Sequence, residues 1–249
     1  MRWPISLKTA RCTFLGGILA TSLLMSGCET LDTKQGQFFG FTTHKTKTPA
    51  PTVIVAHGCD GPNVWTEDWS RRLVSWGYNA VVLDQFRKRG FPQGLCLRGG
   101  LVPPDERNLD TSELAEWIQK QSWHRGKVGI IGMSHGGGTV IDAAINPATF
   151  EKISAGVALY PGCKIVRYNY DNPRFPVQVH LGKLDTWTPC LSSNWSNYDS
   201  YVYENAGHSF DIDMPKRQFQ GFTLWFDREA TELSQSRIKA FVDKNLRPN

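Results

Sequence analysis

The sequence predicts an α/β fold: a mostly parallel central sheet, helices on both of its faces and no large cap domain. Three observations carry that expectation. Short, continuously apolar runs alternate with stretches of helical period. The runs are apolar on both alternating positions, as strands covered on both faces require. No internal repeat or second composition regime interrupts them, so a single domain is expected.

Thr52 to Ala56 (TVIVA) is the first such run, and Asn79 to Leu83 (NAVVL) the second. Between them, Glu67 to Trp76 places Trp69, Leu73 and Trp76 on one helical face. Thr111 to Gln121 reads as a helix with Leu114, Trp117 and Ile118 as its stripe and Asp110 or Thr111 as its cap. Lys127 to Ile131 is a third strand, and a helix starting just after Ser134 continues through Val140 to Ile145. Ser154 to Tyr160, Val177 to Leu181 and Ser200 to Tyr203 complete the strands, and Ser234 to Leu246 closes the chain as a helix. The stretch from Phe86 to Arg107 has no clear period and reads as a long functional loop.

The chain opens with an export signal. Arg2, Lys8 and Arg11 precede an apolar run from Cys12 to Leu24, which is short and Gly-broken for a membrane span. The run ends in Leu24-Met25-Ser26-Gly27-Cys28, which resembles the lipobox of bacterial lipoproteins. That resemblance implies cleavage after residue 27, lipidation of Cys28 and attachment to the cell envelope. Glu29 in the following position suggests the outer membrane. The expected organisation is thus a signal peptide over 1–27, a tether over 28–51 and a folded domain over 52–249. Without the signal the net charge falls from +5 to +2, because three basic and no acidic residues leave with it. A charge that small implies no nucleic-acid partner.

Gly132-Met133-Ser134-His135-Gly136 follows a strand and opens a helix. A serine on such a turn needs small neighbours where the backbone crowds, and its hydroxyl then stands clear of the sheet at a helix N-terminus. The hydroxyl becomes a nucleophile only when a base takes its proton. In this motif's setting the acid and then the histidine follow the serine along the chain. Asp185, just past the strand 177–181, and His208, past the strand near Tyr201, fit that order. Asp211 and Asp213 are the rival acids, but they follow His208. His57-Gly58-Cys59 comes directly after the first strand, where the amides of Cys59 and His135 are expected to face a developing oxyanion. The His57 side chain is expected to order that loop by hydrogen bonding.

With these residues in hand, the chain resembles the dienelactone hydrolase-like branch of the α/β-hydrolases. The matching stretches are VIVAHGCDG (53–61), GYNAVVLDQ (77–85), Arg89-Gly90 with Cys96, GMSHGG (132–137), YPGC (160–163), LDTWTP (184–189) and GHSF (207–210). They span residues 50 to 246. The resemblance implies the α/β-hydrolase fold and a triad of Ser134, Asp185 and His208. The namesake enzymes carry a cysteine at the Ser134 position and act on a cyclic lactone, so the serine here points toward general carboxylic esters. A peptidase or amidase with the same triad, and a non-catalytic envelope protein using the fold as a scaffold, are the competing readings. No cofactor and no metal are expected, since no CxxC or HxxxH spacing occurs. The expected partners are a small-molecule ester and, through the lipid, a membrane.

Arg87, Lys88 and Arg89 form a basic run, read either as a solvated loop or as a substrate anion site built on Arg87 and Arg89. Four cysteines remain after Cys12 and Cys28, and an even count in an exported chain implies two disulfides. Three pairings are possible. In a parallel sheet, Cys163 and Cys190 lie on one edge after neighbouring strands, so those two are expected to pair, leaving Cys59 with Cys96. Four reduced, buried thiols are the alternative.

Overall fold

The computed structural model describes residues 27–32, 38–96, 102–165 and 171–247. Along the chain run β1 (Gly27–Asp32), β2 (Phe38–His44), β3 (Ala50–Ala56), α1 (Val64–Ser75) and β4 (Asn79–Asp84). A 3₁₀ turn at Arg87–Arg89 precedes α2 (Pro104–Ile118), β5 (His124–Met133), α3 (His135–Ala143) and β6 (Ala155–Leu159). After a second 3₁₀ turn at Cys163–Ile165 come β7 (Val177–Gly182), β8 (Asp199–Tyr203), β9 (Arg217–Phe219), β10 (Phe222–Leu224) and α4 (Arg228–Leu246).

Eight strands form one sheet in the order β1-β2-β4-β3-β5-β6-β7-β8. From β4 to β8 all neighbours are parallel, whereas β1 pairs with β2, and β2 with β4, antiparallel. Successive side chains of a strand point to opposite faces, and both faces here are apolar. Ile54, Ala56, Val81 and Leu83 meet Leu114, Ile118, Val140 and Ile141 of α2 and α3. Val53, Val55, Ala80 and Val82 meet Trp69 and Leu73 of α1 and Ile238, Phe241 and Val242 of α4. The chain runs from β3 outward to β4 and later outward the other way from β5. The crevice at the carboxyl ends of β3 and β5 is therefore the topological switch point, where open α/β sheets bind ligands.

The domain starts earlier than the expected boundary at residue 52. β2 adds to the sheet beside β4, and Phe41 lies in the core at 1 % exposure, tilted against Trp117. An antiparallel strand needs no crossover, so a tether-like composition sufficed to build it. Residues 1–26 of the expected signal lie outside the described residues, and the backbone of Cys28 pairs in register with Thr42.

α2 also departs from expectation. It begins at Pro104, two turns before Thr111, with Asp105 and Glu106 in its first turn. Proline at the first helical positions and early acidic residues are ordinary start signals. Asp110 and Thr111 are interior residues of α2 and not caps. The Asp110 carboxylate is fully buried and receives Arg89 Nη1 at 2.7 Å and Nη2 at 3.0 Å. Burial raises the Asp110 pKa, while the guanidinium opposes that rise. Arg89→Ala should therefore destabilise the fold by about 3–5 kcal/mol, because it strands a buried carboxylate. Guanidinium unfolding measures this, and an unchanged midpoint would contradict the pairing.

Candidate active site

Each functional loop leaves the carboxyl end of a parallel strand. The His57–Gly61 loop follows β3, the serine turn follows β5, Tyr160–Cys163 follows β6, Asp185 follows β7 and His208 follows β8. At the serine turn the backbone of Ser134 is left-handed, with φ 53° and ψ −113°. Such strain persists only where neighbouring structure imposes it. A Cβ at Gly132 would overlap the Gly136 carbonyl oxygen, and one at Gly136 would overlap that of Ala56. Both glycines are therefore required for the turn to close. The Ser134 amide donates to Leu159 O at 3.0 Å, which ties the turn to β6.

His208 Nε2 stands 3.0 Å from Ser134 Oγ, and His208 Nδ1 stands 2.8 Å from Asp185 Oδ2. The structure thus brings the three sequence-assigned residues into one hydrogen-bonded chain. The acid is itself held: its Oδ1 accepts the amides of Trp187 and Thr188, each at 2.9 Å, and its Oδ2 accepts the Thr188 hydroxyl at 2.9 Å. Burial pushes the Asp185 carboxyl up, but the hydrogen bond and charge of His208 and the bonds from Thr188 outweigh it. The carboxyl is held below its ordinary value. The rival Asp211 is occupied elsewhere, by the Tyr160 hydroxyl at 2.7 Å and the Trp69 indole N–H at 2.8 Å.

Ser134 lines three spaces, two of them larger than the third. One, of about 220 Å³, is lined by Cys59, His135, Gly162, Lys164, Trp187 and Thr188. A second, of about 150 Å³, has His208, Trp65, Ile212 and Met214 in its wall, with Asp60 and Arg217 as its charged groups. Cys59 lines both of these spaces and His135 the larger of them. His135 is the first residue of α3, where a helix N–H has no carbonyl four residues back and carries the positive end of the dipole.

Behind the His57–Gly61 loop lies a buried polar set that sequence reasoning missed. Arg107 of α2, wholly inaccessible, donates through Nη2 to the His57 carbonyl at 3.0 Å and through Nε to Gln85 Oε1 at 2.6 Å. The Gln85 backbone N–H donates to His57 Nε2 at 3.3 Å, and the His57 Nδ1–H donates to Gly58 O at 2.8 Å. His57 is accordingly a neutral, loop-ordering side chain. Nothing local to Arg107 signals this, because its partners lie 22 and 50 residues away.

Three buried histidines stay uncharged. Burial first and the Arg107 charge second push His57 well below 6.5 and His135 down to about 3, and burial and Arg237 push His180 to about 3. The unfolded chain takes up these protons near 6.5, so it binds more protons than the folded chain below that pH. Stability is then complete above pH 6.5 and falls as the pH drops toward about 3, by about 1.4 kcal/mol per pH unit for each titrating histidine. Denaturant midpoints at pH 7 and pH 5 check this, and equal values would refute it.

Both arginines of the basic run are paired with carboxylates. Arg89 is committed to Asp110, and Arg87 Nε lies 3.2 Å from Asp84 on the surface. Neither arginine lines a space that Ser134 lines. Each was placed within reach of a carboxylate by the turn at Arg87–Arg89, which leaves no free guanidinium there. Both disulfides are present: Cys59–Cys96, with Cα atoms 5.0 Å apart, and Cys163–Cys190, at 6.0 Å. The first anchors the His57–Gly61 loop and the second fastens the loop carrying Asp185 to the end of β6. Two disulfides point to an oxidising, exported environment. The hairpin β9–β10, also unforeseen, turns at Gln220-Gly221 with φ of 54° and 82°. Its Phe222 stacks on Trp187 at 5.3 Å, and Trp187 packs on the His208 ring at 4.9 Å.

The fold and site find counterparts among known proteins. The carboxymethylenebutenolidase of Pseudomonas putida is 25% identical over 190 residues, covering 66% of this chain and 76% of that protein. The dienelactone hydrolase of Anabaena variabilis superposes with a TM-score of 0.68 at 14% identity, covering 90% of this chain and 99% of that one. An esterase of Pyrococcus furiosus gives 0.67 at 17% identity, covering 92% and 98%. These structures share the α/β-hydrolase architecture. The family model described as the dienelactone hydrolase family matches residues 38–246, nearly the whole described chain. The protein therefore belongs to the dienelactone hydrolase family, hydrolases acting on lactones and other esters.

Proposed function

We propose that this chain hydrolyses carboxylic esters through a Ser134–His208–Asp185 triad and an acyl-enzyme. One observation carries the reading: a serine hydroxyl 3.0 Å from a histidine whose other nitrogen is 2.8 Å from a held carboxylate, at the mouth of a cavity. His208 Nε2 takes the Ser134 proton as Oγ bonds to the ester carbon. The carbonyl oxygen gains charge against the amides of Cys59 and His135, which are fixed before the reaction and so cost little reorganisation. The alcohol departs with the proton from His208, and water, deprotonated by His208, releases the acid. Asp185 keeps the imidazole in the tautomer with Nδ1–H and stabilises the imidazolium. A lactone is a cyclic ester and would follow the same steps. Amide cleavage and a scaffold role remain the competing readings, and no observed contact favours either.

Incubation with a fluorophosphonate probe tests the proposal. A single adduct mapping to Ser134, together with p-nitrophenyl acetate turnover, is the expected result. Absence of any adduct on folded protein would remove the serine mechanism. The signal peptide and the lipid on Cys28 are part of the same proposal and place the enzyme in the cell envelope. Labelling with a palmitate analogue should mark the wild type and not Cys28→Ala, and an unlabelled wild type would leave export without an anchor.

A further inference from the structure

A cleft of about 570 Å³ does not contain Ser134. It lies between α1 and the segment running from Asp211 into α4, within the size range of small-ligand sites (about 300–1,000 Å³). It is not isolated from the site. Trp65 and Ile212 line the cleft on one side and the 150 Å³ space at Ser134 and His208 on the other. Trp69 and Asp211 likewise belong both to the cleft and to a small space of about 50 Å³ beneath Ser134.

The lining restricts what could occupy it. Three guanidiniums face four carboxylates, and most are already engaged: Arg71 with Asp68, Arg228 with Glu232, and Arg72 with Gln235 at 2.8 Å. The surplus of one carboxylate over the guanidiniums is too small to hold a strongly charged ligand. A hydrocarbon chain fits no better, since it would cover these polar groups without replacing their contacts with water. Between them stand Trp65, Trp76 and Phe226, each partly exposed. Aromatic faces beside paired donors and acceptors suit a neutral ring whose C–H face can stack and whose hydroxyls both donate and accept. That is the chemistry of a sugar.

We propose that this cleft binds the carbohydrate part of an O-acylated sugar, with the acyl ester crossing Trp65 and Ile212 to reach Ser134. The proposal rests on the ester-hydrolase reading and names its substrate class. Its polarity follows from the site. His208, which returns the proton to the leaving oxygen, lines the space on the cleft side and not the 220 Å³ space, whereas His135 lines only the 220 Å³ space and Cys59 lines both. The sugar is therefore the alcohol. Ser134 Oγ bonds to the acyl carbon, the bond from that carbon to the sugar oxygen breaks, and the sugar oxygen receives the proton from His208. The acyl group, modest in size, occupies the 220 Å³ space until water removes it.

Two independent arms test this. In the first, Ser134→Ala protein is titrated calorimetrically with xylotetraose and cellotetraose. Saturable binding, weakened about tenfold or more by Trp65→Ala, is expected. In the second, active enzyme is assayed on acetylated xylo-oligosaccharides and on p-nitrophenyl acetate. Gln235→Ala, which alters the cleft and not the space at Ser134, should lower kcat/KM about tenfold for the sugar ester while leaving the small ester within about twofold. Binding of neither neutral tetrasaccharide, tighter binding of anionic oligogalacturonate, or an equal effect of Gln235→Ala on both esters would overturn the proposal. If p-nitrophenyl acetate is not hydrolysed at all, the ester reading fails, and the titration alone decides the cleft. If it is hydrolysed and both saccharide arms fail, the ester reading stands without the sugar.

Discussion

Ser134→Ala is expected to lower kcat for p-nitrophenyl acetate by about 10⁵–10⁶-fold while leaving the unfolding midpoint near that of the wild type. The loss is large because the nucleophile, base and acid act as one unit, so removing the serine forfeits what the other two supply. The residue that remains, about 10³–10⁴ over water, comes from the oxyanion amides and binding. Alanine retains the amide that donates to Leu159 O and the carbonyl that accepts from Gly162, so the turn keeps its ties. Serine and alanine bear the positive-φ backbone of this turn about equally, so the backbone adds no difference in stability. Steady-state and single-turnover kinetics with circular dichroism check the result, and activity within about tenfold of wild type would remove Ser134 from the chemistry.

Asp185→Asn should cost about 10³–10⁴-fold in kcat, with a smaller effect on KM. The asparagine can still accept the Trp187 and Thr188 amides through its oxygen, so the loop should hold its shape. Its amide nitrogen, however, offers a donor to His208 Nδ1 where the carboxylate offered an acceptor. The imidazole would then favour the tautomer with its proton on Nε2, which cannot take one from Ser134. The comparison variant is Asp211→Asn, whose parent carboxylate is held by Tyr160 and Trp69. That variant should keep activity within about tenfold. The reverse order of effects would transfer the acid role from Asp185 to Asp211.

How much of the site was legible depended on how local its cause is. The serine turn could be read because its requirements sit in adjacent residues: an apolar strand before it, glycines at 132 and 136, and a helix after. Asp185 and His208 could be placed by chain order, since each parallel strand delivers its loop to the same edge of the sheet. The pairing of Cys163 with Cys190 followed from the same regularity. The support for Asp185 was partly visible as the short Asp-Thr-Trp-Thr run, because a carboxylate readily accepts amides two and three residues on.

Other features were beyond local reading. A helix start at Pro104 was signalled by Pro103-Pro104-Asp105-Glu106, but the apolar stripe beginning at Leu114 drew the boundary toward Thr111. The basic run at Arg87–Arg89 looked free because Asp110 is 21 residues from Arg89. Gln220-Gly221 is a weaker hairpin signal than Asn-Gly, so β9 and β10, with the aromatic wall they lend to His208, went unseen.

By itself, then, the sequence determined the alternation of strand and helix, the two apolar faces of the sheet, and the serine, acid and histidine at its carboxyl edge. These follow from period, glycine placement and chain order, which are properties of neighbouring residues. Tertiary structure alone decided that Phe41 joins the core, that Arg89 neutralises Asp110, that Arg107 holds the His57 loop, and that Trp65 stands between the catalytic space and the larger cleft. In each case the deciding term is a contact with a partner far along the chain, which exists only once the sheet has closed around its switch point.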